Sequence, residues 1–449
     1  MKIIVFDDDP TGSQTVYGCP LLLKWDKETL IKGIQNTSPL LFLLTNTRSL
    51  SPELAELRIR DICRILKEVI KEIGLSTNEI VFVSRGDSTL RGHGVLEPET
   101  INKELGPFDA TFHIPAFFEG GRTTINGIHF LNDVPVHQTN FAQDKIFGYS
   151  TSNLNEWLEE KSKLNIKAKD VCKISIKQLE DASKDNEEMN KFIGYLYSLS
   201  DNKIVTVDAS KVIHLQTFTY AINALRNSKR FLFRSAASLI NSLANISCGS
   251  NPFDDFSSLI LKDHSANNKP GIIIIGSHVP LSDIQLKALL CQESCIGIEV
   301  NVNESLKFFD NDEMKKSLNK FENNLLKEIL YIIDANKTPV LYTSRGEVLF
   351  SSNLKRMRFG IFLAELMANL VSRCLDNLGY IISKGGITTN ILLSEGLKLS
   401  LVNLRGQVLP GLSVVSPEEG NTSLPIVTFP GNLGDENTLL EVWKIMENC

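Results

Sequence analysis

The chain has no apolar run of membrane-spanning length, no Cys-x-x-Cys pair, no long basic tract, no internal repeat and no low-complexity segment. Each absence excludes a class of protein. A bilayer-spanning helix needs about 20 largely apolar residues, so a membrane protein is not expected. The opening MKIIVFDDDP sets four apolar residues before three aspartates, which does not fit a secretory signal, and the expected location is the cytoplasm. Eight cysteines scattered over 449 residues point to reduced thiols rather than a disulfide framework. Cys291 and Cys295, four apart, read as packing residues. Lys and Arg number 47 against 53 Asp and Glu, a net charge of −6, which disfavours nucleic acid as a partner. A small anionic substrate stays compatible if Arg residues cluster locally. His93, His113, His129 and His137 lack short ligand spacing, so structural roles are expected and the metal ligands, if any, are unknown.

Apolar residues make up 42% and charged residues 22%, the balance of a globular protein. The length is about twice that of a usual single core, which predicts two domains. Short apolar runs recur ahead of polar loops: IIVF (3–6), LFLLT (41–45), IVFV (80–83) and IVTV (204–207). Between the second and third, residues 52–74 carry apolar side chains at helical spacing, with Pro52 suited to a first turn and Gly74 to a stop. Strand, helix, strand implies a parallel sheet. Residues 153–202 read as surface helices. A Gly, Pro, Ser, Asn and Asp-rich stretch then marks a linker. The alternation restarts with GIIIIGSHVP (271–280), IGIEV (296–300) and TPVLYTSRG (338–346), a strong helix in 360–379, and the strands of 380–390 and 424–437. The predicted fold is α/β, two α/β domains with mainly parallel sheets over 1–248 and 271–449, joined by a linker at 249–270, with the active site in the interdomain cleft.

Ligands of open α/β sheets lie at the carboxyl ends of strands, so the loops there are the candidates. DDDPTGSQTV places Asp7, Asp8, Asp9, Thr11 and Gly12 together. They either cap a helix or serve substrate hydroxyls, a general base or Mg²⁺. SRGDSTLRGHG brings Arg85, Asp87, Ser88, Thr89, Arg91 and His93 within nine residues. Its arginines either neutralise Asp87 or clamp a carboxylate through paired hydrogen bonds. Glu119, Gly120, Gly121, Arg122, Thr123 and Thr124 form a further polar loop, either a ligand loop or an ordinary turn. In the second half, Ser277, the run Ser383, Lys384, Gly385, Gly386, Ile387, Thr388, and Pro430, Gly431, Asn432 follow apolar strands. Glycines at a strand-to-helix junction let backbone amides surround phosphate oxygens. Neither GxxxxGK[ST] nor GxGxxG is present, which disfavours a hydroxy-acid oxidoreductase.

Taken in order, DDDPTGSQTV, SRGDSTLRGH, PAFFEGGRTTING, SKGGIT and PGNLGDEN resemble the four-carbon acid sugar kinase family over nearly the whole chain. The resemblance implies a sugar-acid-binding domain followed by a nucleotide-binding domain, and transfer of the ATP γ-phosphoryl group, with Mg²⁺, to the terminal hydroxyl of threonate, erythronate or 3-oxotetronate. It places Asp8, Asp9, Asp87 and Arg91 at the sugar acid, with Thr11, Arg85, Ser88, Glu119 and Arg122 as further substrate-side candidates. Ser277, Gly385 to Thr388 and Gly431, with Asn432, would hold ATP. Arg91 is expected to hold the substrate carboxylate and Asp87 or Asp8 to accept the hydroxyl proton. Two departures stand out: Ile387 replaces an acidic residue, and TFPGN stands where the family has KSGN, so Lys384 is expected to restore positive charge. The alternative is a non-catalytic sensor that binds a sugar acid and a nucleotide. The sequence leaves room for a homo-oligomer.

Overall fold

Fully buried parallel strands need apolar side chains on both faces, and the uninterrupted runs read above become such strands. The computed structural model describes residues 2–9, 16–245, 256–346, 348–417 and 424–447. Thr11, Gly12 and residues 249–255 of the expected linker lie outside the described residues. The chain divides into two compact units, Met1–Ser250 and Asn251–Cys449.

The first unit contains β1 (Lys2–Asp7), β2 (Cys19–Leu22), β3 (Leu40–Leu44), β4 (Ile80–Arg85) and β5 (Ala110–Ile114). A three-stranded antiparallel sheet follows, of β6 (Arg122–Ile125), β7 (Ile128–Leu131) and β8 (Val134–Pro135), and then β9 (Cys172–Ile174), β10 (Lys203–Val207) and β11 (Phe231–Ser235). The main strands run in the order β2-β3-β1-β4-β11-β5-β10-β9, with every described pairing parallel. The helix Pro52–Glu72 begins on the Ser51 cap with Pro52 in its first turn. It buries Ala55, Ile59, Ile62, Cys63, Leu66, Val69 and Ile70, the stripe that a 3.6-residue period produces. Gly74, at φ +72°, lets the chain turn away. The helices Leu154–Lys161, Ile176–Lys184 and Asn186–Tyr197 occupy the stretch read as surface helices, and β9 is an addition to that reading.

The second unit contains β12 (Ile272–Ile275), β13 (Cys295–Val300), β14 (Thr338–Thr343), β15 (Ile381–Lys384), β16 (Leu401–Leu409), β17 (Leu412–Pro417) and β18 (Ile426–Phe429). Their order is β13-β14-β12-β15-β18-β17-β16, the first five parallel and the last two antiparallel additions. Burial alternates along β16, the period-2 signature of a strand covered on one face. Cys295 is buried at the start of β13, whereas Cys291 is exposed. Among the described residues no helix is long and apolar enough to cross a membrane.

Aromatic packing holds the centre of the first unit. Phe112 on β5 is fully buried and meets Phe218, Phe231 and Phe233 at centroid distances of 5.0, 5.2 and 5.7 Å. Phe112→Ala should cost about 3–5 kcal/mol in chemical denaturation. A loss below about 1 kcal/mol would show that the cluster closes over the gap.

Candidate active site

In the first unit, strand register brings the candidate loops to one edge. Pairing places Leu44, Asp7, Arg85, Ser235 and Ile114 side by side at the carboxyl ends of β3, β1, β4, β11 and β5. The chain leaves β1 toward β2 and β3 on one side and returns to β4 on the other, a reversal that opens a crevice beside β1 and β4. The two loops richest in charge emerge there.

Charge is packed densely at this crevice. Asp8 has no solvent exposure, and Arg48 grips both its oxygens, donating from Nη2 (2.6 Å) and Nε (3.2 Å). The same guanidinium donates from Nη1 to Asp9 (2.9 Å). Arg85, also buried, lies 3.4 Å from Asp7 and 3.8 Å from Asp8, and its Nε has no hydrogen-bond partner. Arg234 on β11 donates to Glu97 (2.5 Å) and Ser84 (2.7 Å) and lies 3.9 Å from Asp8. Glu97, almost fully buried, also accepts from Thr47 (2.6 Å) and Ser84 (3.0 Å), so one carboxylate ties together three strand ends. At Gly86 any side chain would strike Arg234, since a Cβ would sit 2.0 Å from its Nη2.

Asp87 follows β4 and faces inward. Its Oδ2 accepts from Arg91 Nε (2.6 Å) and the Thr89 hydroxyl (2.6 Å), and its Oδ1 accepts from the Thr89 amide (3.1 Å). Burial alone would raise this carboxyl, but Arg48, Arg91 and the Thr89 bonds outweigh it and hold the group well below the usual range. Arg91 packs over the Phe141 ring at 4.9 Å and lies 3.8 Å from Asp144. Arg122, half-buried with an unpartnered Nε, feels both Asp87 and Arg91. Asp7 goes the other way: burial, against the pull of Arg85, raises it to about 7. The guanidiniums of Arg48, Arg85, Arg91, Arg122 and Arg234 thus stand among Asp7, Asp8, Asp9, Asp87, Glu97 and Asp144, and the buried Nε atoms of Arg85 and Arg122 have no hydrogen-bond partner. The crevice suits an anion.

The remaining first-half candidates hold the scaffold. Ser88 gives its carbonyl to His129 Nε2 (2.7 Å), whose Nδ1 meets the Thr124 hydroxyl (2.9 Å). Burial lowers His129 to about 4 and His113 to about 3, so both rings are neutral at physiological pH. Glu119 is exposed and accepts from Ser238 (3.2 Å). Arg48, Arg234 and Glu97 were not singled out from the sequence. Arg48 follows β3 as the aspartates follow β1, and that position was its available signal.

In the second unit, Ile275, Lys384 and Phe429 share one register level, so the loops after β12, β15 and β18 emerge together. They pack glycine backbone against the short side chains of Ser277 and Thr388. A Cβ at Gly276 would lie 2.0 Å from Thr388 Oγ1, and one at Gly431 would lie 2.4 Å from Ser277 Oγ. Gly385, at φ +119°, lies where a Cβ would be 3.3 Å from the Ser277 amide nitrogen. Ser282 donates to Ser277 Oγ (3.0 Å) or to the Gly431 carbonyl (2.9 Å). Gly386, Ile387 and Thr388 open the helix Gly386–Ile391, where first-turn amides lack helical partners. Ile387 and Asn432 are exposed at this edge and Thr388 is buried.

Lys384 departs from expectation. Its side chain is fully buried, with Nζ 3.9 Å from the Phe429 ring centroid and donating to the carbonyls of Pro430 (3.1 Å) and Gly431 (3.3 Å). Burial, with help from Arg345, lowers its ammonium to about 7. It secures the Pro430–Gly431 turn from beneath instead of presenting charge outward, because Phe429 supplies an aromatic face in place of a polar side chain. A cation beside these loops is Arg345, also missed from the sequence. It donates to the Ser277 carbonyl (2.6 Å) and pairs with Asp283 (3.1 Å), while its buried Nε and Nη2 have no hydrogen-bond partner. A guanidinium with two nitrogens still free to donate, beside glycine-lined amides, fits a phosphate.

The Asp7 shift carries a sign. A carboxyl raised from 3.8 to about 7 stabilises the fold below about pH 4, and that contribution is lost as pH rises through 7. Asp7→Asn, which cannot ionise, should therefore gain unfolding free energy relative to wild type between pH 4 and pH 8. A difference between the two proteins that stays constant with pH would show that Asp7 does not titrate there.

Comparison with known proteins agrees with this division of labour. Residues 3–243 match the sequence model of the sugar-binding N-terminal domain, and residues 272–439 that of the nucleotide-binding C-terminal domain. A D-erythronate kinase of Heliobacterium modesticaldum is 26% identical over 151 residues, 32% of this chain and 32% of that protein. The match thus spans about a third of that curated relative. Two crystal structures share the fold at 15% identity: a Haemophilus influenzae protein (TM-score 0.66, covering 99% of this chain and 100% of that one) and a Salmonella typhimurium LT2 protein (TM-score 0.68, 98% of each). The first domain model alone covers more than half of the sequence and the second follows it in order, so the chain belongs to the four-carbon acid sugar kinase family.

Proposed function

We propose that the protein transfers the γ-phosphoryl group of ATP to the terminal 4-hydroxyl of a four-carbon sugar acid of the threonate, erythronate or 3-oxotetronate class. The observation that carries this reading is the pair of half-buried guanidiniums, Arg91 and Arg122, beside Asp87 at the β1–β4 crevice, in a domain whose family binds sugars. Arg91 and Arg122 hold the substrate carboxylate, because each keeps donor capacity beyond its described bonds. Asp8 has both oxygens engaged by Arg48. Asp87, ionised and bonded to Arg91, fixes that guanidinium and accepts a hydrogen bond from the attacking hydroxyl. A weakly basic carboxylate suffices, since phosphoryl transfer through a loose transition state asks mainly for alignment and charge stabilisation.

ATP supplies the phosphoryl group. The amides of Gly386, Ile387 and Thr388, the Ser277 hydroxyl and Arg345 are the groups that would hold its phosphates, and the glycines leave room for close approach. Mg²⁺ binds few protein ligands and would ride on the phosphate oxygens.

ADP release should depend on an added tetronate, with phosphorus NMR showing a phosphate ester at the terminal carbon. Binding of both ligands without turnover would support the sensor instead. Arg91→Ala should raise KM for the acid about 10- to 100-fold, the weight of a charge-assisted hydrogen bond, and leave KM for ATP unchanged. Equal effects on both substrates would remove Arg91 from the carboxylate site. Lys384→Met should raise KM for ATP by releasing the Pro430–Gly431 turn, and an unaltered KM would reduce Lys384 to a packing residue.

A further inference from the structure

Residues 139–149, which follow β8 and precede the helix Leu154–Lys161, lie against the loop that carries Asp87 and Arg91. Three contacts fasten them there. The Tyr149 hydroxyl donates to the Thr89 carbonyl (2.7 Å), the Phe147 ring meets His93 edge-on at 5.1 Å, and the Phe141 ring covers one face of the Arg91 guanidinium at 4.9 Å. The two loops are tied into one body, and a side chain between those contacts is fixed relative to Arg91.

Asp144 is that side chain. Its Oδ1 accepts from the amides of Ile146 (2.8 Å) and Phe147 (2.9 Å), and its carbonyl accepts from the Gly148 amide (2.9 Å), so the turn itself orients the carboxylate. Oδ2 lies 3.8 Å from Arg91 Nη1, too far for a hydrogen bond, and among the described residues no hydrogen bond reaches it. Arg91 is in the matching condition. Its described bonds, to Asp87 and Thr89, use Nε alone and leave Nη1 and Nη2 to donate. The side chains of Arg91 and Asp144 are 23% and 28% exposed, so a solute can reach both.

Capping the turn needs only Oδ1. A second carboxylate oxygen beside Arg91 would repel an incoming carboxylate unless a donor arrived with it. An α-hydroxy acid brings that donor: one carboxylate oxygen accepts from the guanidinium, and the hydroxyl on the adjoining carbon donates to Oδ2. A spare donor and a spare acceptor side by side match this pair of groups, and a carboxylate alone satisfies only one of them.

We propose that Asp144 reads the C2 hydroxyl of the substrate and so restricts the protein to 2-hydroxy acids. The inference rests on the reading above, which places the substrate carboxylate at Arg91, and adds the residue that selects among acids able to bind there. The test compares a tetronate with 3,4-dihydroxybutanoate, which keeps the terminal hydroxyl and lacks the one on C2. Wild type should favour the tetronate about 10- to 100-fold in kcat/KM, the weight of a hydrogen bond to a charged group. In Asp144→Ser a hydroxyl retains the turn cap while Oδ2 is lost. The preference should then shrink about tenfold or more, through the tetronate alone, with KM for ATP and the melting temperature unchanged. Equal losses on the two acids would make Asp144 a part of the turn and overturn the assignment. So would a wild type that uses both acids equally well. If neither acid drew ADP release from wild type, the kinase reading itself would fail and take this inference with it.

Discussion

The grip of Arg48 on both oxygens of Asp8 is the interaction on which the first unit's crevice depends. Asp8 is wholly buried, and an ionised carboxylate without solvent is tolerable only when its lone pairs are occupied. Removing one partner of a buried pair costs about 3–5 kcal/mol, mostly because the other charge is left stranded. Arg48 therefore determines where Asp8 lies, and its third nitrogen determines where Asp9 lies. Glu97 acts similarly one layer below, fixing Arg234, Ser84 and Thr47.

The second unit reaches an anion-compatible edge by different means. Its loops bring glycine backbone and short hydroxyl side chains into close contact at Gly276, Gly385, Gly431, Ser277 and Thr388, with Arg345, paired to Asp283, as a charged group beside them. Such a surface has few rotatable side chains to order when a ligand arrives. Lys384 contributes from inside, on the carbonyls of the turn it supports.

Much of this was legible in the sequence, and for definite reasons. Strands buried on both faces are continuous apolar runs, so β1, β3, β4, β12 and β15 could be read directly. The helix Pro52–Glu72 carried its cap, stripe and stop in plain form. Strands β6 to β8 were not legible because they are short and only partly buried, which leaves no long apolar run. At the crevice, loops crowded with charge announced Asp8, Asp9, Arg85, Asp87 and Arg91. Arg234 escaped because it lies inside the strand FLFRS, where a lone charge reads as an interruption, and Arg48 because its loop carries only one charged residue. Lys384 was placed on the correct loop but on the wrong side of it. Linear order cannot report whether a side chain at a strand's end points outward or under its neighbour.

The position of β11 bears on how the chain is made. Strands β4 and β5 are consecutive in the sequence, yet β11 lies between them and bonds to both. Until residues 231–235 leave the ribosome, β4 and β5 each carry an open edge that no earlier strand fills, and such edges are prone to pair with other chains. Glu97 waits as well, since Arg234 arrives on that same strand. Synthesis thus passes through a long interval in which most of the first unit exists but its centre does not. A chain cut short before β11 would retain the aspartates and most of the arginines of the crevice without the strand that aligns them.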